Sequence, residues 1–214
     1  MKTALLATAS LFLATAIARP SSAPHYHPQK RAAAQSATDI LIKIAPTSAS
    51  CADATADVSS ECATAADATQ PIIDAFVKYN VATPGEQAAL LSWMAFETAE
   101  FKYVRNHFPA PGRPGQGTRA MMMPNFVSEY AGTLGLTNAD PAGLLDDVIK
   151  AGGEWGAASW YYTTKCTDDV KTGVQTGGKA GWEKFVTDCV QTTMDDGRVK
   201  YWTASAQALG MATT

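Results

Sequence analysis

A mostly α-helical domain is predicted by three observations: helix-compatible segments punctuated by glycine and proline, start signals in register with them, and no series of alternating runs that would build a sheet. Helices are expected at 37–44, 60–79, 84–106, 124–133, 141–151, 155–163, 182–193 and 198–209. In the second, Pro71 lacks an N–H and is expected to divide the helix in two. The third opens on Thr83-Pro84-Gly85-Glu86, which sets an N-cap, a first-turn proline and a capping-box glutamate in order. Within it Leu90, Trp93, Met94, Phe101 and Val104 recur at three- and four-residue steps, the mark of one apolar helix face. Asp140-Pro141 repeats the cap-plus-proline device at the fifth. The remaining segments are helix-compatible stretches between glycine and proline breaks.

The ends point to export. Met1-Lys2 supplies a positive start, residues 4–14 an apolar run, and Ala16-Ile17-Ala18 a small-x-small cleavage pattern, so residues 1–18 read as a signal peptide cut after Ala18. No later stretch approaches the roughly 20 apolar residues of a transmembrane helix, so a soluble, secreted, extracellular protein without a membrane partner is expected. Residues 19–35 read as a pro-segment or linker, and 36–214 as one domain. The dibasic Lys30-Arg31 is either a second processing site, giving a start at Ala32, or a solvated pair in a linker. His25 and His27 in that segment are read as incidental rather than metal-binding. All four basic residues before position 32 lie outside the domain, leaving it 13 basic against 20 acidic residues. An acidic domain with no basic stripe argues against a nucleic-acid partner. Four cysteines in a secreted chain suggest disulfides, and the simplest pairing closes two short loops, Cys51 with Cys62 and Cys166 with Cys189; the sequence leaves the other two pairings open.

His107 is the one histidine after residue 31 and every cysteine is expected to be oxidised, which disfavours a zinc site, a cysteine nucleophile and a serine triad; no metal or cofactor is expected. Carboxylate chemistry remains. Glu97 falls near the middle of the apolar face, flanked by Trp93, Met94 and Phe101, where burial raises a carboxyl pKa and suits it to act as a general acid. The alternative is a buried acid satisfied by Arg105, Arg113 or Arg119. The glycine- and proline-rich stretch from Pro109 to Thr118 is a rigid loop of the kind that borders clefts.

Leu91 to Phe101, then Gly117 to Pro124, then Phe126 to Ala131, resemble the lysozyme-like core of goose-type lysozymes and lytic transglycosylases, and Gly115 to Arg119 with Met123 to Phe126 resemble secreted fungal muramidases of that superfamily. About a fifth of the chain carries the resemblance. It implies a mostly α, lysozyme-like fold and a glycoside hydrolase, muramidase or lytic transglycosylase. Glu97 would be the catalytic acid, with Thr98, Gln116, Thr118, Arg119, Met121, Met122 and Tyr161 binding substrate. Met122 departs from the family's glutamine, which keeps open a non-catalytic glycan-binding relative or an effector. The implied partner is a polysaccharide, bacterial peptidoglycan or a chitin-like glycan, acted on by a monomer. A second carboxylate would be sought among Glu129, Asp140 and Glu154, and sugar-stacking platforms among Tyr103, Tyr130, Trp155, Trp160, Tyr161 and Tyr162. Activity is expected to be better at acidic pH.

Overall fold

The computed structural model describes residues 37–56 and 58–213. The expected signal peptide, the linker with His25 and His27, and the dibasic pair lie outside the described residues. Among the described residues nine α-helices form: α1 (37–44), α2 (Ala65–Lys78), α3 (Pro84–Glu97), α4 (Pro124–Thr133), α5 (Pro141–Lys150), α6 (Ala157–Lys165), α7 (Asp168–Gln175), α8 (Lys179–Lys184) and α9 (Asp196–Ala208). No strand forms among them; isolated antiparallel bridges join Arg105 to Gly117 and Gly117 to Met122. No helix among them is long and apolar enough to cross a membrane.

Helix starts follow local chemistry. The Thr83 hydroxyl accepts from Glu86 N–H at 3.2 Å while Glu86 accepts from Thr83 N–H at 2.9 Å, a reciprocal capping box. Thr64 and Asp67 build the same device on α2, and Asp140 caps α5 through the N–H groups of Ala142 and Gly143. Pro71 does not divide α2, which runs unbroken through it. One missing N–H costs a single ladder bond, and burial of Ala68, Thr69, Ile72 and Ala75 on both sides of it holds the helix together.

The core is built around α3, which packs against α6, α7 and, most extensively, α9. The expectation of a single apolar face on α3 is corrected. Leu90, Trp93 and Met94 are buried, and so are Ala88, Ala89, Leu91, Ser92 and Ala95, so α3 is a central helix enclosed on all sides. It is also shorter than the expected 84–106. After Glu97 the chain leaves the helix through Ala99, Glu100 and Phe101, all in the left-handed region at φ 47°, 62° and 70°. Three consecutive residues there are costly, and the turn is held by its surroundings. Glu100 accepts from Thr47 N–H (2.5 Å), the Thr47 hydroxyl (2.7 Å) and the Tyr201 hydroxyl (2.8 Å), while Phe101 is fully buried, edge-on to Trp155.

The segment 182–193 divides into the end of α8 and a π-helical turn, Phe185–Cys189. Helix α7, capped by Thr167, is an element the sequence reading missed. It crosses α8 so closely that a Cβ on Gly181 would sit 2.0 Å from the Gly173 carbonyl oxygen. Disulfides join Cys51 to Cys62 and Cys166 to Cys189.

Candidate functional site

Glu97 is the last residue of α3, and its side chain is 20% exposed. It opens on a groove of about 240 Å³. One wall is the 116–123 segment, where Gln116 and Met121 to Met123 face the groove; the opposite wall is Val190, Gln191 and Thr192 after the π-turn; Trp93, Phe126 and Tyr161 close it with aromatic surface. Tyr161 meets Trp93 edge-on at 5.4 Å and Phe126 at 5.0 Å.

Both walls are fixed by backbone geometry. Gly117 exchanges hydrogen bonds with Met122, N–H to carbonyl at 3.0 and 2.7 Å, and any Cβ on Gly117 would lie 2.4 Å from the Val104 carbonyl oxygen, so only glycine fits. Thr118 and Met121 sit at φ 71° and 49°, and the Gln116 amide donates to the Met121 carbonyl at 3.2 Å. On the other wall Gln191 is at φ 60°. The Cys166–Cys189 bridge anchors that wall to the end of α6, and the Tyr161 hydroxyl donates to the Cys189 carbonyl at 3.0 Å. Strain gathered on both sides of one groove is a feature of functional sites.

The Glu97 carboxylate is paired with Arg198 Nη2 at 2.8 Å. Arg198 also stacks on Phe96 (4.1 Å), donates to the Thr192 hydroxyl (3.3 Å), and approaches Asp195 at 3.6 Å. Burial pushes the Glu97 carboxyl above its ordinary value; the Arg198 charge and hydrogen bond pull it back only in part, and Asp195 adds to the rise. The Trp93 indole N–H lies beside this carboxylate, stabilising its charge, but completes no hydrogen bond within the described residues. The sequence reading placed the possible guanidinium partner among Arg105, Arg113 and Arg119. The partner is Arg198, which no local pattern links to Glu97.

Of the other residues expected at the site, Gln116, Met121, Met122 and Tyr161 share the groove with Glu97. Thr98, Thr118 and Arg119 do not line it. Thr98 is buried, donating to the Met94 carbonyl and accepting from Phe101 N–H. Thr118 is buried under the bridge. Arg119 is buried over the Trp155 ring (4.4 Å) and donates to the carbonyls of Phe101 (2.8 Å), Tyr103 (3.1 Å) and Glu61 (3.0 Å). Burial brings its pKa down to about 10. It clamps the left-handed turn after α3. Val190, Gln191, Thr192 and Arg198 are groove residues that sequence reasoning missed; the acidic cap at Asp195 was the nearest local signal.

Glu129, Asp140 and Glu154 do not line the groove. Glu129 pairs with Lys165, Asp140 caps α5, and Glu154 is buried near Arg119. Of the six aromatics expected as platforms, Tyr161 alone lines the groove. Among the described residues no group of three or more His, Cys, Asp or Glu is placed to hold a metal; His107 is bound to Glu61 at 2.9 Å.

No protein-family model matches the chain. Over 154 residues, 65% of its length, the chain is 35% identical to a bifunctional dioxygenase–epoxy alcohol synthase of Fusarium oxysporum (strain Fo5176). The match spans 12% of that relative. This finding overturns the resemblance to goose-type lysozymes, lytic transglycosylases and fungal muramidases, and with it the lysozyme-like fold assignment, the glycoside hydrolase or transglycosylase activity, and the alternative of a glycan-binding relative or effector. The expected polysaccharide partner, peptidoglycan or chitin-like, and the role in cell-wall degradation fall with them. The groove agrees with the correction: Glu97 faces Arg198 rather than a second carboxylate, and the polar residues Thr98, Thr118 and Arg119 are spent on internal backbone. The fold is described by its own features, a mostly helical chain with two disulfides similar over part of its length to that fungal protein.

Proposed function

We propose that the Glu97 groove is a proton-donating site for an oxygenated, partly apolar molecule, and that Glu97 assists the breaking of a C–O bond in it. The observation that carries this reading is a carboxyl with a raised pKa, open to a groove of methionine and aromatic surface. A perturbed acid in such a cleft is the usual starting point for a reactive site. The fungal relative is named for making epoxy alcohols, and an epoxy alcohol supplies what the groove accepts, an oxygen to protonate on an apolar body.

In the step proposed, protonated Glu97 donates to the epoxide oxygen as that C–O bond breaks. The ligand's own hydroxyl oxygen adds to the carbon released, and its proton returns to Glu97. The product is an isomer of unchanged mass, and the acid is regenerated. Arg198 holds the carboxylate in place while it is ionised, and the Trp93 indole N–H beside it helps to stabilise that charge. Export belongs to the same proposal: a signal peptide cut after Ala18 would deliver residues 19–214, and with them the domain at 36–214, to an oxidising compartment where both disulfides form.

The test is incubation of the secreted protein with a long-chain epoxy alcohol, followed by chromatography and mass spectrometry for isomers. Conversion is expected, faster as pH falls toward the Glu97 pKa, and Glu97→Gln should lose on the order of 10²–10⁴-fold. Equal rates for wild type and a folded Glu97→Gln, or no conversion at any pH, would reject the reading.

A further inference from the structure

A second concavity, of about 490 Å³, lies against α1, α2 and the first half of α3. Small-molecule sites typically occupy ~300–1,000 Å³. Its floor is Leu41, Ile72, Val81 and Leu91, all buried. Ile73, Phe76 and Val77 of α2 form a wall, and Val77 is 77% exposed, an unusual position for a large aliphatic side chain. It shares no lining residue with the Glu97 groove.

The polar groups define what fits. No Asp, Glu, Lys or Arg lines the cavity. Of its three polar side chains, Thr69 donates to the Ala65 carbonyl at 2.7 Å and Gln87 to the Val81 carbonyl at 3.3 Å. Asn80 is different. It is exposed, held at φ 53°, and its side-chain amide makes no hydrogen bond among the described residues. A charged ligand group here would lose water without gaining a counter-charge, which is costly. A neutral oxygen would meet one free amide.

We propose that this cavity binds the aliphatic chain of an uncharged lipid-like molecule, with a hydroxyl or carbonyl at its end hydrogen-bonded by Asn80. The apolar walls supply affinity through area removed from water, and the uncharged lining selects an alcohol or ester over the corresponding carboxylate.

The full-length secreted protein is titrated with the fluorescent probe N-phenyl-1-naphthylamine, followed by displacement with hexadecanol or with hexadecanoate at pH 8. Expected results are probe uptake, displacement by hexadecanol, and at least tenfold weaker displacement by hexadecanoate. Ile73→Trp should fill the cavity and cut probe affinity at least tenfold at an unchanged melting temperature; if that variant does not fold, Val77→Trp, at an exposed position, takes its place. The proposal is overturned by absent probe uptake, by equal displacement with alcohol and carboxylate, by wild-type affinity in the folded tryptophan variant, or by light scattering that shows a dimer covering this face.

Discussion

The Arg198 guanidinium reaches the Glu97 carboxylate at 2.8 Å while lying 4.1 Å over the Phe96 ring, so one buried cation joins the last turn of α3 to the first turn of α9. Its charge is the largest influence holding the Glu97 pKa down against burial. Arg198→Met should therefore raise that pKa further. At neutral pH it leaves a mostly buried carboxylate without its partner, which costs about 3 kcal/mol. The loss should shrink at pH 4, where Glu97 carries its proton. Carboxyl-carbon NMR titration and urea unfolding at the two pH values measure both effects, and an unmoved Glu97 pKa would refute the account.

Arg119 is expected to matter for stability rather than for the groove. It donates to three carbonyls around the left-handed turn and faces Trp155. Hydrogen bonds from a charged donor are worth ~1.5–3 kcal/mol each. Arg119→Met should destabilise by about 3 kcal/mol or more in denaturant unfolding. Arg119→Lys should recover little, since an ammonium lacks the planar fork that reaches several carbonyls. A variant as stable as wild type would show that the turn holds without its clamp.

These two arginines mark where the sequence was readable. Helix starts written in adjacent residues, such as Thr83 to Glu86 and Asp140-Pro141, form as local chemistry requires. The disulfides join cysteines that are near in sequence. Glu97 reads as an acid among apolar neighbours because its own helix supplies Trp93 and Met94. Its partner is not legible, since Arg198 arrives from α9 through tertiary packing. The end of α3 was missed because Ala99, Glu100 and Phe101 have no glycine to announce a left-handed turn; Thr47, Tyr201 and Arg119, all distant in the chain, impose it. The family resemblance rested on about a fifth of the residues, too few to outweigh a match over 65% of the chain.

Removing the Cys166–Cys189 bridge tests how the groove is held. Its loop of 23 residues gives about 3 kcal/mol in the chain-entropy picture. The bridge also anchors the strained Gln191 wall, so Cys166→Ala/Cys189→Ala should loosen the groove before the fold. Hydrogen exchange is expected to rise first at residues 189–192, while the amides of α3 stay protected. Uniform loss of protection across both would show that the bridge serves global stability alone.

The pH dependence of stability follows from carboxyls shifted in opposite directions. Burial raises Glu97 and Glu154. A raised carboxyl contributes stability in full below its unfolded pKa, and that contribution is lost as pH rises through the folded value. Glu86 runs the other way: burial opposes its charge, but hydrogen bonds from Gln175, Thr83 and Tyr162 outweigh it and lower the pKa. Asp67 is lowered by the Thr64 hydroxyl and backbone N–H. Those contributions are present above the unfolded carboxyl values and are lost as pH falls through the folded ones. Stability should therefore rise on acidification from neutrality, while Glu97 and Glu154 take up protons, then fall once Glu86 and Asp67 do. Melting temperatures across the acid range should show this maximum, and Glu97→Gln with Glu154→Gln should flatten the neutral limb while leaving the acid limb in place. A wild-type curve that declines steadily from neutral to acid would contradict the raised pair.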